Sequence, residues 1–332
     1  MNSPQKILIL RFSSIGDIVL TTPIARCIKK QIKGVEVHYA TKPQFKQLLE
    51  NNPNIDKIHT LDNSLSELIK QLKKEKFDFI VDLHNNLRTK RIKLGLWNVK
   101  SKAFPKLNWE KWLMVNFKIN KLPNIHIVDR YFKATKPLGI VNDNEGLDYF
   151  IPEKDEIEND WLPNEYRGEY YAFVIGAQFA TKRLTTQKII AKCDQINKPI
   201  ILIGGPEDAK TGKEIEAFFS RNNQTEENSK KLTELNKKAF VFNGCGKFNI
   251  NQSAFLLKNA KEVHTHDTGM MHIASAFNKD IVSYWGNTIP EFGMYPYKTK
   301  FTIIENKDLS CRPCSKIGFN KCPKGHFKCV NF

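Results

Sequence analysis

Residues 262–276 read EVHTHDTGMMHIASA. Glu262 to His266 alternates as a short strand does, Asp267-Thr268-Gly269 forms a turn, and an apolar run with helical spacing follows. A strand feeding a glycine-containing turn that opens a helix is a geometry suited to phosphate. The free backbone N–H groups and the positive end of the helix dipole point at the anion. Gly269 lets the backbone come close, Thr268 offers a hydroxyl and an N–H, and Asp267 is expected as the cap that fixes the turn. Many strand-to-helix turns bind nothing, so the surrounding chain has to decide.

Outward from this stretch, strand and helix alternate in two series. Lys6 to Leu10 (KILIL) is a compact buried strand running into RFSSIGD and a helix from about Asp17 to Ile32, with Pro23 in its first turns. This opening lacks both GxGxxG and the P-loop pattern. It does place an acid, Asp17, at the C-terminal end of a first strand, where open α/β sheets carry their chemistry. Further strands are expected at 35–40, 55–61 and 77–83, the last ending in His84, with helices at 44–51 and 65–75. Asn142 to Arg167, with Pro152 and Pro163, reads as an interdomain connection. Alternation restarts with strands at 171–176, 200–203, 240–242 and 281–285. Helices are expected at 186–196, to about Arg221, and at 251–259, with a polar, mobile stretch to Lys231. Such repetition implies parallel sheets with right-handed crossovers. The domains are expected at 1–150 and 168–310, followed by a cysteine-rich tail at 311–332, with both sets of strand ends around one cleft.

The 332 residues suffice for two cores. With 41% hydrophobic and 26% charged residues the chain has the composition of a soluble globular protein. No apolar run is long enough to span a bilayer, and the one in MNSPQKILILRF is too short for a secretory signal, so the cytoplasm is the expected compartment. A formal charge of +17 favours an anionic partner or, more blandly, a lysine-rich solvated surface. Between Arg88 and Lys121 basic residues face a single acid, Glu110, and are interleaved with Trp97, Phe104, Trp109, Trp112 and Phe117. That mixture suits a membrane interface, an anionic amphiphile or single-stranded nucleic acid, and equally an ordinary amphipathic helix. Cys27, Cys193 and Cys245 are scattered and read as buried thiols. Cys311, Cys314, Cys322 and Cys329 cluster, and four clustered thiols in a cytoplasmic protein favour metal over disulfide. A structural zinc site is the expectation, although the second pair is spaced more widely than a zinc-ribbon knuckle.

If the Gly269 turn grips a diphosphate, Lys182 and Arg183, in the loop after the first strand of the second half, are the cations to neutralise it. A carboxylate opposite such a pocket suits group transfer from a nucleotide diphosphate. The chain contains no Asp-x-Asp, which argues against a metal-bridged diphosphate site.

Four segments, KILILRFSSIGDIVLTTPIARCIKK, GAQFATKRL, LIGGPED and HDTGMMHIASAFNKDIVSYWGNTIP, resemble in order those of the bacterial ADP-heptose:lipopolysaccharide heptosyltransferases, glycosyltransferase family 9. The resemblance implies a GT-B fold, two facing Rossmann-like domains with parallel sheets, the donor held mainly by the second. It implies inverting transfer that requires no metal cofactor, from ADP-heptose to a hydroxyl of the lipopolysaccharide core, by a cytoplasmic protein associated peripherally with the inner membrane. Asp17 matches the family's general base and Lys182 the lysine that pairs with the donor diphosphate. Thr268 and Gly269 match the phosphate turn, with Asp267 ahead of it and His272 on the following helix. Ser13, Ser14 and Gly16 complete the first loop. On the acceptor side, His84, Arg88 and Arg91 would meet phosphates and carboxylates of the lipid. No clear match for ribose- and adenine-contacting residues occurs near Val241 to Lys247, so the adenine nucleotide is inherited from the resemblance. The chain also ends at Phe332 without the long closing helix that GT-B proteins often return to the first domain.

Three rivals remain. His264, His266, Asp267 and His272 could form a metal-hydrolase cluster, since His-x-His on a strand puts both rings on one face. The chain could be a non-enzymatic basic nucleic-acid-binding protein, although no nucleic acid is expected from the paired α/β halves. It could also be a family-9 transferase using another sugar nucleotide or acceptor.

Overall fold

The structure is a computed structural model that describes residues 5–227 and 240–332. Its contacts divide the chain into two units, residues 1–109 with 122–150, and residues 110–121 with 151–332.

The first unit is built on β1 (Lys6–Leu10), β2 (Glu36–Thr41), β3 (Lys57–Thr60), β4 (Phe79–Asp82) and β5 (Lys100–Ala103). All are parallel, in the order β3-β2-β1-β4-β5. β1 is central, and Ile7 to Leu10 are fully buried, which explains its unbroken apolar run: a parallel strand with both faces covered has no polar side to show. β5 reads KSKA and lies at the sheet edge, where lysines discourage further pairing. Its sequence carries no strand pattern and it was not foreseen.

The helix expected over 17–32 is two helices, α1 (Ile15–Val19) and α2 (Thr22–Gln31). Pro23 has no N–H to continue the first helix and sits instead at the start of the second, where none is needed. The carbonyls freed at the break are taken by hydroxyls: Thr21 Oγ1 donates to Ile18 O at 2.6 Å and Thr22 Oγ1 to Val19 O at 2.8 Å. The helix expected at 44–51 is a short 3₁₀ segment, Pro43–Leu48. α3 (Leu65–Lys74) starts at Ser64, whose hydroxyl accepts from Glu67 N, and carries Glu67 in its first turn and Lys73 and Lys74 in its last. α4 (Leu87–Gly95) opens with an Asn86/Thr89 capping box. α5 (Asn108–Phe117) and α6 (Ile127–Phe132) follow.

The second unit contains β6 (Tyr171–Val174), α7 (Thr186–Ile196), β7 (Ile200–Ile203), α8 (Ala209–Glu227), β8 (Val241–Asn243), α9 (Ile250–Asn259), β9 (Glu262–His266), α10 (Gly269–Ala276), β10 (Asp280–Trp285) and β11 (Phe301–Glu305). Its six parallel strands run in the order β11-β10-β9-β6-β7-β8. α8 extends six residues past the expected end. The polar stretch expected to be mobile runs beyond Glu227 to residues outside the described ones. The stretch 142–167 is more than a connection. Its first part is clamped by buried Arg26, which donates to Asp143 at 2.9 Å and to Gly146 O at 2.9 Å and pairs with Asp148. Farther on, Asp155 accepts from Asn249 at 2.8 Å and Asn251 at 2.7 Å. No helix among the described residues is long and apolar enough to cross a membrane.

Candidate functional site

In the first unit, the site begins at the C-terminal end of β1. Asp17 is the third residue of α1, and its Oδ2 accepts from the Ser14 hydroxyl at 2.9 Å and the Ser14 N–H at 3.2 Å. Its Oδ1 lies 2.6 Å from the Arg11 guanidinium. Burial alone would raise the Asp17 pKa, but Arg11 and the two Ser14 donors outweigh it and hold the carboxyl below its ordinary value. Arg11 is anchored by Ser13 O at 2.7 Å, Leu83 O at 2.5 Å and the Tyr131 hydroxyl at 3.1 Å. The result is an ionised carboxylate held by Ser14 and by an Arg11 that Ser13 and the residue after β4 anchor.

His84 follows β4. Its Nδ1 accepts from Phe12 N at 3.3 Å, and burial, then Arg11, pushes its pKa down to about 4, so the ring is neutral at pH 7. The Arg88 guanidinium lies 5.3 Å from the centre of the Phe12 ring. Phe12 thus gathers His84 and Arg88 beside the Asp17 loop. Arg91, one turn along α4, is exposed.

In the second unit, β9 ends at His266 and α10 begins at Gly269 with Thr268, not Asp267, as its N-cap. Asp267 instead accepts Lys182 Nζ at 2.6 Å and the Thr288 hydroxyl at 2.8 Å on the same Oδ2, while Lys182 also reaches Asp267 O at 3.2 Å. The expectation that Asp267 caps the turn is therefore corrected: a cation from the β6 loop attracts its side chain away from the helix start. The Thr268 hydroxyl is buried with no hydrogen-bond partner among the described residues, and no acid occupies the first turn of α10. Lys182 is at the turn. Arg183 is engaged elsewhere, with Ala177 O at 2.5 Å and Asp208 at 3.1 Å. His272 lies in the first turns of α10 and is buried.

The two strand histidines are packing residues. His264 donates from Nε2 to Glu262 and accepts at Nδ1 from the Tyr284 hydroxyl, both at 2.9 Å. His266 Nε2 accepts from Leu184 N at 3.0 Å, and burial lowers its pKa to about 4. Among the described residues, only His38, His59 and Glu75 form a group of three or more His, Cys, Asp or Glu ligand atoms within 4.8 Å of one another. That removes the cluster of His264, His266, Asp267 and His272 as a metal-hydrolase centre.

Cys311, Cys314, Cys322 and Cys329, where a structural zinc is the expectation, do not form a group of three ligand atoms within 4.8 Å among the described residues, so that expectation gains no support. Burial, then Cys311 and Cys322, raises the Cys314 thiol, and burial, then the neighbouring cysteines, pushes Cys329 up to about 11. Burial would raise Cys322 too, but the backbone N–H groups of Lys324, Gly325, His326 and Phe327 outweigh it and lower that thiol. The Cys311 sulfur lies 3.7 Å from His326 Nε2. What the tail contributes is Arg312. Its buried guanidinium donates to Gly286 O at 2.5 Å and Thr288 O at 2.8 Å, and pairs with Glu305 at 2.8 Å. Phe319 N donates to the Thr181 hydroxyl at 2.8 Å, and that hydroxyl donates to Asn287 at 2.9 Å. The tail thus fixes the loop after β10 against the loop after β6, and through Thr288 it fixes Asp267 and Lys182.

Arg11, Thr288 and Arg312 were missed in the sequence. For Arg11 a signal existed, since it is a lone charge closing an apolar strand six residues before an acid. Arg312 lay within what resembled a metal knuckle.

The family profile for glycosyltransferase family 9 (heptosyltransferase) matches residues 65–323, most of the chain. The chain belongs to that family. Lipooligosaccharide heptosyltransferase 2 of Haemophilus influenzae is 23% identical to this family-9 chain over 325 residues, covering 90% of this chain and 88% of the relative. Among solved structures, a glycosyl transferase family 9 protein from Veillonella parvula superposes with a TM-score of 0.71 at 22% identity, covering 92% of this chain and 88% of the other. ADP-heptose lps heptosyltransferase II from Escherichia coli superposes with a TM-score of 0.68 at 17% identity, covering 98% and 97%. The fold is GT-B, as expected. Membership in a glycosyltransferase family sets aside the non-enzymatic nucleic-acid-binding alternative.

Proposed function

We propose that this family-9 glycosyltransferase moves a heptose from ADP-heptose to a hydroxyl of the lipopolysaccharide inner core, with inversion and without a catalytic metal. The carrying observation is the Asp17 carboxylate, fixed by Arg11 and Ser14 at the end of β1. The acceptor oxygen attacks the anomeric carbon as the bond to the diphosphate breaks, and the acceptor proton passes to Asp17. A carboxylate of lowered pKa is a weak base, but the acceptor hydroxyl becomes strongly acidic as its oxygen bonds to an oxocarbenium-like carbon. Proton transfer late in the displacement needs no stronger base. One carboxylate suffices because a nucleotide diphosphate is already a good leaving group.

For the donor, the first N–H groups of α10, the unpartnered Thr268 hydroxyl and Lys182 support a diphosphate site. On this reading Arg183 acts through Asp208 rather than on phosphate directly, and His272 supports the first turn of α10. His84, Arg88 and Arg91 would receive the acceptor. The names of the relatives, which cite ADP-heptose and lipooligosaccharide, support donor and acceptor class. Peripheral association with the cytoplasmic face of the inner membrane is part of the proposal. The +17 charge supports it, as do exposed Trp97 and Leu94 in one unit and exposed Trp112 and Phe117 in the other.

Calorimetric titration with ADP, UDP and GDP in the presence of EDTA tests the donor reading. Selective ADP binding is expected. Binding of UDP or GDP in its place would transfer the proposal to another sugar nucleotide, and loss of all binding in EDTA would overturn metal independence.

A further inference from the structure

His38 in β2 and His59 in β3 are 2% and 6% exposed, and Nδ1 of the first faces Nε2 of the second at 3.0 Å. The parallel register explains the meeting: His38 pairs with Lys57 and Ala40 with His59, so both rings stand on one face of the sheet. Glu75, at the end of α3, brings Oε2 to 3.9 Å from His38 Nδ1. All three ligand atoms lie within 4.8 Å of one another. We propose that His38, His59 and Glu75 bind a divalent transition-metal ion of the zinc class, clipping β2, β3 and the end of α3 together.

Three features favour a ligand set over a simple buried hydrogen-bonded pair. The donors are right: two imidazoles and a carboxylate suit zinc-like ions better than magnesium or calcium and leave one position for water. The spacing is near that of ligands sharing an ion, since two nitrogens at tetrahedral zinc lie about 3.3 Å apart for bonds of about 2.0 Å. Finally, the outer nitrogen of His38 donates to Glu36 Oε2 at 3.3 Å, the carboxylate–histidine arrangement that orients metal ligands. The Phe77 ring stands edge-on to both imidazoles and fixes their planes.

The charge and proton balance can be followed atom by atom. With Nε2–H of His38 given to Glu36, its Nδ1 accepts the proton on His59 Nε2. On ion binding that proton moves to His59 Nδ1, both rings stay neutral, and each offers one lone pair. Glu75 keeps Lys57 on Oε1 at 2.6 Å, and Oε2 exchanges Lys6, 3.5 Å away, for the ion. Lys6 retains Glu36 at 3.1 Å. The side chains bonded to this trio are Lys6, Glu36 and Lys57, none of them in the Ser13–Asp17 loop, so the site is separate from the transfer chemistry.

The test is Co2+ titration of the EDTA-stripped full chain, read by visible absorption and by thermal unfolding. Expected are cobalt d–d bands without thiolate-to-cobalt charge transfer, which distinguishes this site from the cysteine tail, and a raised Tm. Both should vanish in His59→Gln. Should that variant misfold, Glu36→Gln, on an exposed side chain, should bind Co2+ about ten- to a hundredfold more weakly. Absence of the nitrogen- and oxygen-type bands in the wild type, or unchanged bands in either variant, would overturn the proposal.

Discussion

Asp17 has two partners that set its chemistry and one position that makes it structural as well. As third residue of α1 it accepts the Ser14 N–H, so part of its role is to hold the helix start. Asp17→Asn keeps an acceptor there but cannot take a proton. Transfer should fall by roughly a hundred- to ten-thousandfold while Tm and ADP affinity stay near wild type; equal loss of all three would make Asp17 a cap and nothing more. Because Arg11 and Ser14 hold its pKa below the ordinary value of 3.8, kcat/KM should fall with acid only below that value. Arg11→Gln removes the opposing charge and leaves burial dominant, so the acid limb should move up. A limb that does not move would assign it to another group. Lys182→Ala removes a cation and leaves Asp267 negative at the phosphate turn. ADP should bind roughly thirtyfold more weakly, as expected from about 2 kcal/mol for a charged hydrogen bond. Asp17 and Lys182 were legible because an acid and a lysine after first strands stand out. The supporting contacts were harder to read: Arg11 reaches Asp17 from a strand end, and Thr288 reaches Asp267, the partner of Lys182, from 21 residues downstream.

Most strands were legible and the breaks between helices were not. Buried parallel strands write themselves as apolar runs, whereas the end of α1 depends on where Pro23 falls relative to the last usable carbonyl. β5 and β11 lie at sheet edges and lack a continuous buried face, so their sequences gave no comparable signal. In the tail the cysteines stand out in the sequence, while the residue that ties the loops is Arg312. Gly286 shows how tight that junction is: a Cβ there would lie 2.1 Å from Thr181 O, a backbone atom with no room to yield. Gly286→Ala should destabilise the protein by about 1–3 kcal/mol and weaken ADP binding with it. A thermal melt and a nucleotide titration on the same sample check this, and an unchanged Tm would mean that the junction is looser than its distances.

The formal charge of +17 is distributed over a chain with exposed tryptophans in both units. Binding to vesicles containing anionic phospholipid should therefore occur and weaken with salt, and should fall in Trp112→Ala. Equal affinity for neutral vesicles would remove the electrostatic part of this reading. Composition announced an anionic partner, but it could not say that residues 110–121 group with the second unit while the chain on both sides groups with the first. That crossing has a temporal side. A ribosome delivers α5 and the Lys118 that follows it before any of residues 151–332 exists, and the contacts of Lys111 with Phe292 and of Lys118 with Pro313 are among the last to become available. At about 5–20 residues per second, the remaining 211 residues take roughly 10–40 s to emerge. Throughout that interval a nascent helix bearing Trp112 and Phe117 waits without its partners, in reach of chaperones.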